Sequence, residues 1–404
     1  MTLEGTFRQN TQISLKRKKS DFVEDTIKTN MFLCVLLKVR AFIRKNTVLS
    51  IAIIAAVVTS LIVPPDKTYL GYVDLKTMCC LFGTLAVVCA LKNIRFFAIL
   101  ASRIILIAGN SRTAAVTLVF ITFFGSMLIA NDMALITFLP LGYYVFSTSE
   151  DRKEVAVVFI LQNIAANLGG MLTPFGNPQN LYLYSKYSIP TGEFMTIMAP
   201  PFALALVMII GCCFLIPKHS MKIIDTKDTH LPVNRTIIYL VLFSLTILMV
   251  FRILPYWITI VIVVISLLIL DRKALRMVDY GLLLTFVCFF IFAGNMGRIE
   301  AVKGFFSNLL AWNPLVTSVF SCQVISNVPS AILLSQFTEV YKPILLGVNI
   351  GGAGTLIASL ASLITFGEYN KHYPGYAKEY ILRFSAYNFS FVIILTIFAL
   401  IFLL

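Results

Sequence analysis

The stretch Gln162 to Leu183 reads QNIAANLGGMLTPFGNPQNLYL, and it decides the architecture. Its first half is apolar enough for a membrane helix, yet Thr173-Pro174-Phe175-Gly176-Asn177-Pro178-Gln179-Asn180 packs two prolines and a glycine into eight residues. That is more disruption than a simple kink requires, so the segment is expected to unwind. Backbone leaves helical geometry at membrane depth only where protein or a water-filled cavity satisfies its polar groups. The half-helix that restarts near Asn180 would then point N–H groups inward at an anion, while the freed carbonyls face a cation such as Na⁺.

Working outward, the surroundings confirm that lipid is the solvent. Of 404 residues, 58% are hydrophobic and 13% charged, and mean hydropathy is +0.88, which together describe an all-α polytopic membrane protein. Apolar segments fit for crossings lie at 47–64, 72–91, 193–216, 235–251, 255–270, 281–297 and 380–404. Interrupted ones lie near 155–185 and 342–366. Two further apolar stretches, 113–146 and 314–335, carry polar breaks at Asn131-Asp132 and Ser326-Asn327 and are expected to be re-entrant hairpins. The segments 94–109 and 299–312 are expected to lie flat on opposite surfaces.

Nine crossings place the termini on opposite faces. With the N-terminus in the cytoplasm and the C-terminus outside the cell (plasma) membrane, 26 of the 33 Lys and Arg fall inside. The formal charge of +14 thus orients the chain rather than implying a nucleic-acid partner. The domains divide as 1–46, a basic segment with Lys16, Arg17, Lys18 and Lys19 and an amphipathic surface helix from Met31 to Ile43; 47–216, a first repeat; 217–234, a cytoplasmic linker; and 235–404, a connecting helix with a second repeat. No small-residue cleavage site follows the apolar run before Asn46, so a cleaved signal is not expected.

Landmarks recur in the same order in both halves. Val73-Asp74 matches Val278-Asp279, Ala130-Asn131 matches Ser326-Asn327, and Asn167-Leu168-Gly169-Gly170 matches Asn349-Ile350-Gly351-Gly352. In each half a Thr follows that Asn by six residues, at Thr173 and Thr355, and Asn177 and Asn180 correspond to Ser359 and Ser362. Because the copies begin on opposite sides, they are two inverted repeats, each with a re-entrant hairpin and an unwound helix. That arrangement belongs to secondary transporters and puts the site between the repeats.

Asn131 and Asn327 each carry a donor and an acceptor that suit both a carboxylate and a cation, and Ser326 and Ser330 add hydroxyls; capping of half-helices is the alternative. Asp132 is the acid at membrane depth beside a break, open to three roles: Na⁺ binding, proton exchange, or a helix cap. Asp74 and Asp279 stand at helix starts, where dipole compensation accounts for them. The eight cysteines lie in apolar runs without CxxC spacing and read as packing residues. His219, His230 and His372 fall in polar loops, so no metal site or resident cofactor is expected. Paired acids, a Ser/His pair or HExxH at membrane depth would mark an intramembrane enzyme, and none is in the sequence there.

Gln162 to Leu183, with Gln323 to Leu334 (QVISNVPSAILL) and Leu345 to Leu363 (LLGVNIGGAGTLIASLASL), resembles the ion transporter superfamily, in its arsenite permease, citrate transporter and divalent anion:sodium symporter branches. The resemblance implies a homodimer working by an elevator motion, with Na⁺ or H⁺ as coupling ion. It implies that Asn131 and Asn327 are shared binding positions and Gly176 a backbone Na⁺ ligand; with the residues of the breaks, the expected substrate contacts are Asn131, Asn177, Asn180, Ser326, Asn327 and Thr355, and the expected ion-coupling residues Asn131, Asp132, Gly176 and Asn327. Symporters of that type carry Ser-Asn-Thr at both tips, whereas this chain has Ser326-Asn327-Val328 and Ala130-Asn131-Asp132. The missing hydroxyls argue against a dicarboxylate, and the Asn-Asp pair is similar to the arsenite permease and sodium/proton antiporter side. The leading expectation is a small-anion transporter, possibly for a di- or tricarboxylate; the rival is arsenite or antimonite efflux, or Na⁺/H⁺ antiport through Asp132.

Overall fold

A computed structural model describes residues 46–106, 108–146, 152–220 and 230–404. The basic run at Lys16 to Lys19, the surface helix expected from Met31 to Ile43, Cys34 and residues 221–229 of the 217–234 linker lie outside these. Among the described residues the chain is helical, with no β-strand beyond one isolated bridge between Asn110 and Ser220.

The helices in chain order are α1 (Thr47–Ile62), α2 (Leu75–Asn93), α3 (Phe96–Ile105), α4 (Ser111–Ile129), α5 (Asn131–Phe146), α6 (Arg152–Gly169), α7 (Pro178–Lys186), α8 (Thr191–Phe214) and α9 (Val233–Val250). They continue as α10 (Tyr256–Leu270), α11 (Arg272–Met277), α12 (Tyr280–Met296), α13 (Glu300–Trp312), α14 (Pro314–Ile325), α15 (Asn327–Leu334), α16 (Tyr341–Gly351), α17 (Leu360–His372) and α18 (Ala377–Phe402). Caps explain several starts. Asp74 accepts the N–H groups of Lys76 and Thr77 at α2, and Asp279 that of Leu282 at α12.

Polarity runs opposite to that of a soluble protein. Large apolar side chains such as Leu61, Trp257, Ile269 and Ile401 stand exposed on α1, α10 and α18, while Gln162, Asn163, Asn180 and Asn388 are fully buried. Lipid solvates the first group, and only protein can satisfy the second. The described cysteines are unpaired, and Cys80, Cys89, Cys213, Cys288 and Cys322 are buried among the core helices.

By length and hydropathy, six helices among the described residues can cross a membrane: α2, α4, α6 with its 3₁₀ extension to Leu172, α8, α9 and α18. Nine crossings were expected. The difference comes from α1, α10 and α12, which at 16, 15 and 17 residues sit near the lower limit for a span, and from the division of α16 and α17 at a break. α4 is long enough to cross alone, yet the chain reverses at Ala130 (φ 62°, ψ 149°) into α5. α13 follows α12 at 96°, so it runs across the bundle rather than along it.

Contacts sort the ends. At one end, Ser111 Oγ donates to Pro217 O (2.6 Å), Glu154 pairs with His219 (3.4 Å), Arg152 pairs with Glu379 (3.3 Å), and His372 stacks on Tyr143. At the other, the Tyr187 hydroxyl donates to Thr338 O (2.7 Å) and that of Tyr341 to Glu193. The α4/α5 hairpin therefore starts and finishes at the first end, and α15 finishes and α16 begins at the second. His372, expected in a loop, closes the last turn of α17, where Glu368 one turn earlier holds it at 3.0 Å.

Candidate functional site

Two reversals and two unwound segments meet. At 1.5 Å per residue, the 19 residues of α4 reach ~28 Å from the first end and the 12 of α14 reach ~18 Å from the second. Together these lengths approximate the ~40–45 Å of a bilayer with its headgroups. The tips can therefore come to one depth.

Both tips reverse through a non-glycine residue with positive φ, Ala130 and Ser326 (φ 75°, ψ 159°), so the breaks fall one residue before each asparagine. Asn131 and Asn327 are instead the first residues of α5 and α15, and each Oδ1 accepts the next backbone N–H, from Asp132 (2.9 Å) and Val328 (2.8 Å). Capping is thus part of what they do. The first tip docks on the broken helix of its own half: Asn131 Nδ2 donates to Asn167 Oδ1 (3.2 Å), and Thr173 Oγ1 donates to Met127 O (2.8 Å). The second docks likewise, Asn327 N donating to Ala358 O (2.9 Å) and Ser326 Oγ to the same carbonyl (3.2 Å).

Helix α7 restarts at Pro178 rather than Asn180. Proline at the first helical position loses no hydrogen bond, and Asn177 in extended backbone supplies the cap position. Asn180, fully buried, turns its Nδ2 back onto Gly170 O, Met171 O and Thr173 O at 3.2–3.3 Å. It braces the unwound segment. Gly176 is required there by space, since a Cβ would lie 2.3 Å from Gly170 O. Thr355 plays a bracing part in the other half. Its N–H donates to Gln323 Oε1 (2.8 Å), its hydroxyl donates to Gln323 O (3.3 Å), and it accepts from Ala358 N.

The two broken helices clasp each other. Asn349 Oδ1 accepts from Asn177 Nδ2 (3.2 Å) and Gln179 Nε2 (3.4 Å), and Asn349 Nδ2 donates to Asn180 Oδ1 and Leu345 O.

A cavity of about 230 Å³ lies against this assembly, and the opening residues of four helices line it: Asn131 and Asp132 of α5, Pro178 and Gln179 of α7, Asn327 and Val328 of α15, and Leu360 of α17 with its cap Ser359. Each helix N-terminus carries roughly half a positive charge, so about two converge. Asp132 is the sole ionisable side chain in the lining, and its buried Oδ1 has no hydrogen-bond partner among the described residues. Asp132 Oδ1 caps no N–H among the described residues; the Asp132 N–H itself goes to Asn131 Oδ1. The far wall is apolar, from α1 and the Phe286 and Phe289 face of α12. Through Leu282, Thr285 and Leu363 the cavity borders a second hollow of about 330 Å³ that reaches Asn46 and Asp279 at the first end.

Of the residues singled out in the sequence, Asn131, Asp132, Ser326 and Asn327 line the cavity, whereas Asn177, Asn180, Gly176 and Thr355 build the frame behind it. Gln179 was missed. It is 1% exposed, its Oε1 is unpartnered, and it lines the cavity; its place inside a Pro-rich break was the available signal. Nothing in the sequence distinguished Phe286 and Phe289 from lipid-facing aromatics.

Comparison with known proteins points to a transporter family. Residues 32–339 match the family model described as citrate transporter. An uncharacterized transporter of Methanocaldococcus jannaschii is 34% identical over 296 residues, 72% of this chain and 80% of that protein. The inner membrane protein YbiR of Escherichia coli is 28% identical over 307 residues, 74% of this chain and 81% of its own length. A multi-pass helical bundle whose half-helices open onto one cavity, matched over three quarters of its length by that model, belongs to the citrate transporter family.

Proposed function

We propose that this membrane transporter is a secondary active carrier of a small anion, coupled to Na⁺ or H⁺ at Asp132. It would be built as two inverted repeats and work as a homodimer with a cytoplasmic N-terminus. The observation that carries the reading is the convergence of four half-helix N-termini on one cavity lined by Asp132, whose Oδ1 is buried without a partner among the described residues. With Asp132 ionised, the field there sums to roughly one positive charge; with a cation or proton on it, to roughly two. Loading the cation therefore favours loading the anion, which is what coupling requires.

The unwound segment's carbonyls contribute less to cation binding than the sequence suggested, since Asn180 already engages three of them. Asp132 with Gln179 Oε1 offers two unpartnered acceptors in one lining.

Uptake of labelled anions into proteoliposomes under imposed Na⁺ and H⁺ gradients tests the proposal. Saturable flux driven by at least one gradient is expected; no anion flux under either sinks it. The same lone acid favours a second reading, Na⁺/H⁺ antiport or arsenite efflux through Asp132. Cells producing the protein would then gain tolerance to Na⁺ or arsenite and lose it on Asp132→Asn.

A further inference from the structure

We propose that the substrate is a half-apolar monocarboxylate rather than a citrate-like tricarboxylate. The inference rests on the anion-carrier reading above and concerns which anion the same cavity takes.

The lining divides into three chemically distinct parts. At the second tip, Ser326 and Asn327 bring a hydroxyl and an amide beside the start of α15, a place for one carboxylate. At the first tip, the equivalent of Ser326 is Ala130, without a hydroxyl, and the Asn131 amide is committed to Asn167. What that tip offers is acceptor oxygen, from Asp132 Oδ1 and the neighbouring Gln179 Oε1, both without partners. Acceptors repel a second carboxylate and suit the coupling cation.

The third part is the wall made by Ile51 of α1 and by Leu282, Phe286 and Phe289 of α12, where the one polar side chain, Thr285, donates its hydroxyl proton to Gly281 O (2.7 Å). Among the described residues no Lys, Arg or His lines the cavity. A tricarboxylate's three charges would exceed the roughly two positive charges that the four helix N-termini supply, leaving an outlying carboxylate to the phenyl rings or to Asp132. A charge buried without a partner is among the costliest arrangements a protein can make. A single carboxylate with a hydrocarbon or aryl body matches all three parts: head at Ser326 and Asn327, cation between it and Asp132, body on the aromatic wall.

Straight-chain acids from acetate to hexanoate, with phenylacetate, succinate and citrate, titrated calorimetrically into the purified wild-type protein at saturating Na⁺ and again at low pH, read this out. Affinity should rise about fourfold with each added methylene, the weight of ~0.8 kcal/mol per buried CH₂, and citrate and succinate should bind more weakly than hexanoate. Phe289→Arg should flatten the chain-length series and improve citrate; should that variant fail to fold, the wild-type series decides alone. Citrate or succinate binding as tightly as hexanoate, or a series with no chain-length dependence, overturns the substrate class and leaves the carrier standing. Binding of none of the probes, together with no gradient-driven flux of any anion, overturns both.

Discussion

The two hairpins make the same backbone move with different chemistry. The first has arms of 19 and 16 residues and turns at Ala130-Asn131-Asp132; the second has arms of 12 and 8 and turns at Ser326-Asn327-Val328. Both reverse through a positive-φ residue, and both place an asparagine first in the returning helix, with its Oδ1 on the next N–H. The shared parts set geometry. The positions that differ, 130 against 326 and 132 against 328, set the side chains each tip offers: a carboxylate at the first, a hydroxyl at the second.

The largest expected effect comes from erasing that difference. Asp132→Val gives the first tip the second's side chain and should lower gradient-driven uptake by about 10- to 100-fold, the weight of a charged partner worth ~1.5–3 kcal/mol. Thermal stability should hold or rise, because an unpartnered buried oxygen is removed. Uptake that survived would place the coupling elsewhere and make the tips equivalent.

Next come the glycines of the two breaks. A Cβ at Gly176 would meet backbone, Gly170 O at 2.3 Å, whereas at Gly352 its nearest neighbour is the Asn327 side-chain amide at 2.8 Å. Gly176→Ala is expected to destabilise by ~1–3 kcal/mol, and Gly352→Ala by less, because a side chain moves more readily than a carbonyl. Unfolding midpoints in detergent compare them, and equal shifts would mean the second break is as rigid as the first.

The braces differ as well. Asn180→Ala frees three buried carbonyls and should cost ~1–3 kcal/mol, while Thr355→Val removes one hydroxyl from a network that Gln323 also holds and should cost under ~1 kcal/mol. A reversed order, read from the same unfolding curves, would break the assignment of Asn180 as a brace.

The smallest effect lies outside both hairpins. Hydrogen bonds from Thr68 and from Arg298 hold the Asp66 carboxyl down to about 2 from its ordinary 3.8. A depressed folded pKa contributes stability that is full above pH ~3.8 and lost as pH falls through about 2, so Asp66→Asn should lower the unfolding midpoint by one small, constant amount between pH 5 and 8, with the difference from wild type vanishing as pH falls through about 2. A shift of equal size at pH 7 and pH 2 would rule out the linkage.

The sequence made the breaks legible because polar and helix-breaking residues are conspicuous in an apolar chain: Asn131, Ser326-Asn327 and the Thr173 to Asn180 stretch all sit at reversals or unwound backbone. Helix limits came within a few residues for the same reason. Residue roles were harder to see. Asn177 and Asn180 look alike in sequence to Asn131, since an amide has the same donor and acceptor wherever it sits, and only partners separate a brace from a ligand. The aromatic wall was hidden because in a membrane helix Phe286 facing a cavity and Phe320 facing lipid are the same letter. The short spans escape a length test because α1 and α12 hold only 16 and 17 residues; they pack together, with Asn295 Nδ2 donating to the Thr59 and Ser60 hydroxyls (3.3 Å each).

Asn349 has a mechanical consequence. By accepting from Asn177 and Gln179 and donating to Asn180, one side chain rivets the broken helix of one half to that of the other. Prising the two breaks apart to let a solute through would sever these amide bonds in a place where no water waits to replace them. Any movement that keeps these bonds must therefore carry the two broken helices together as one block.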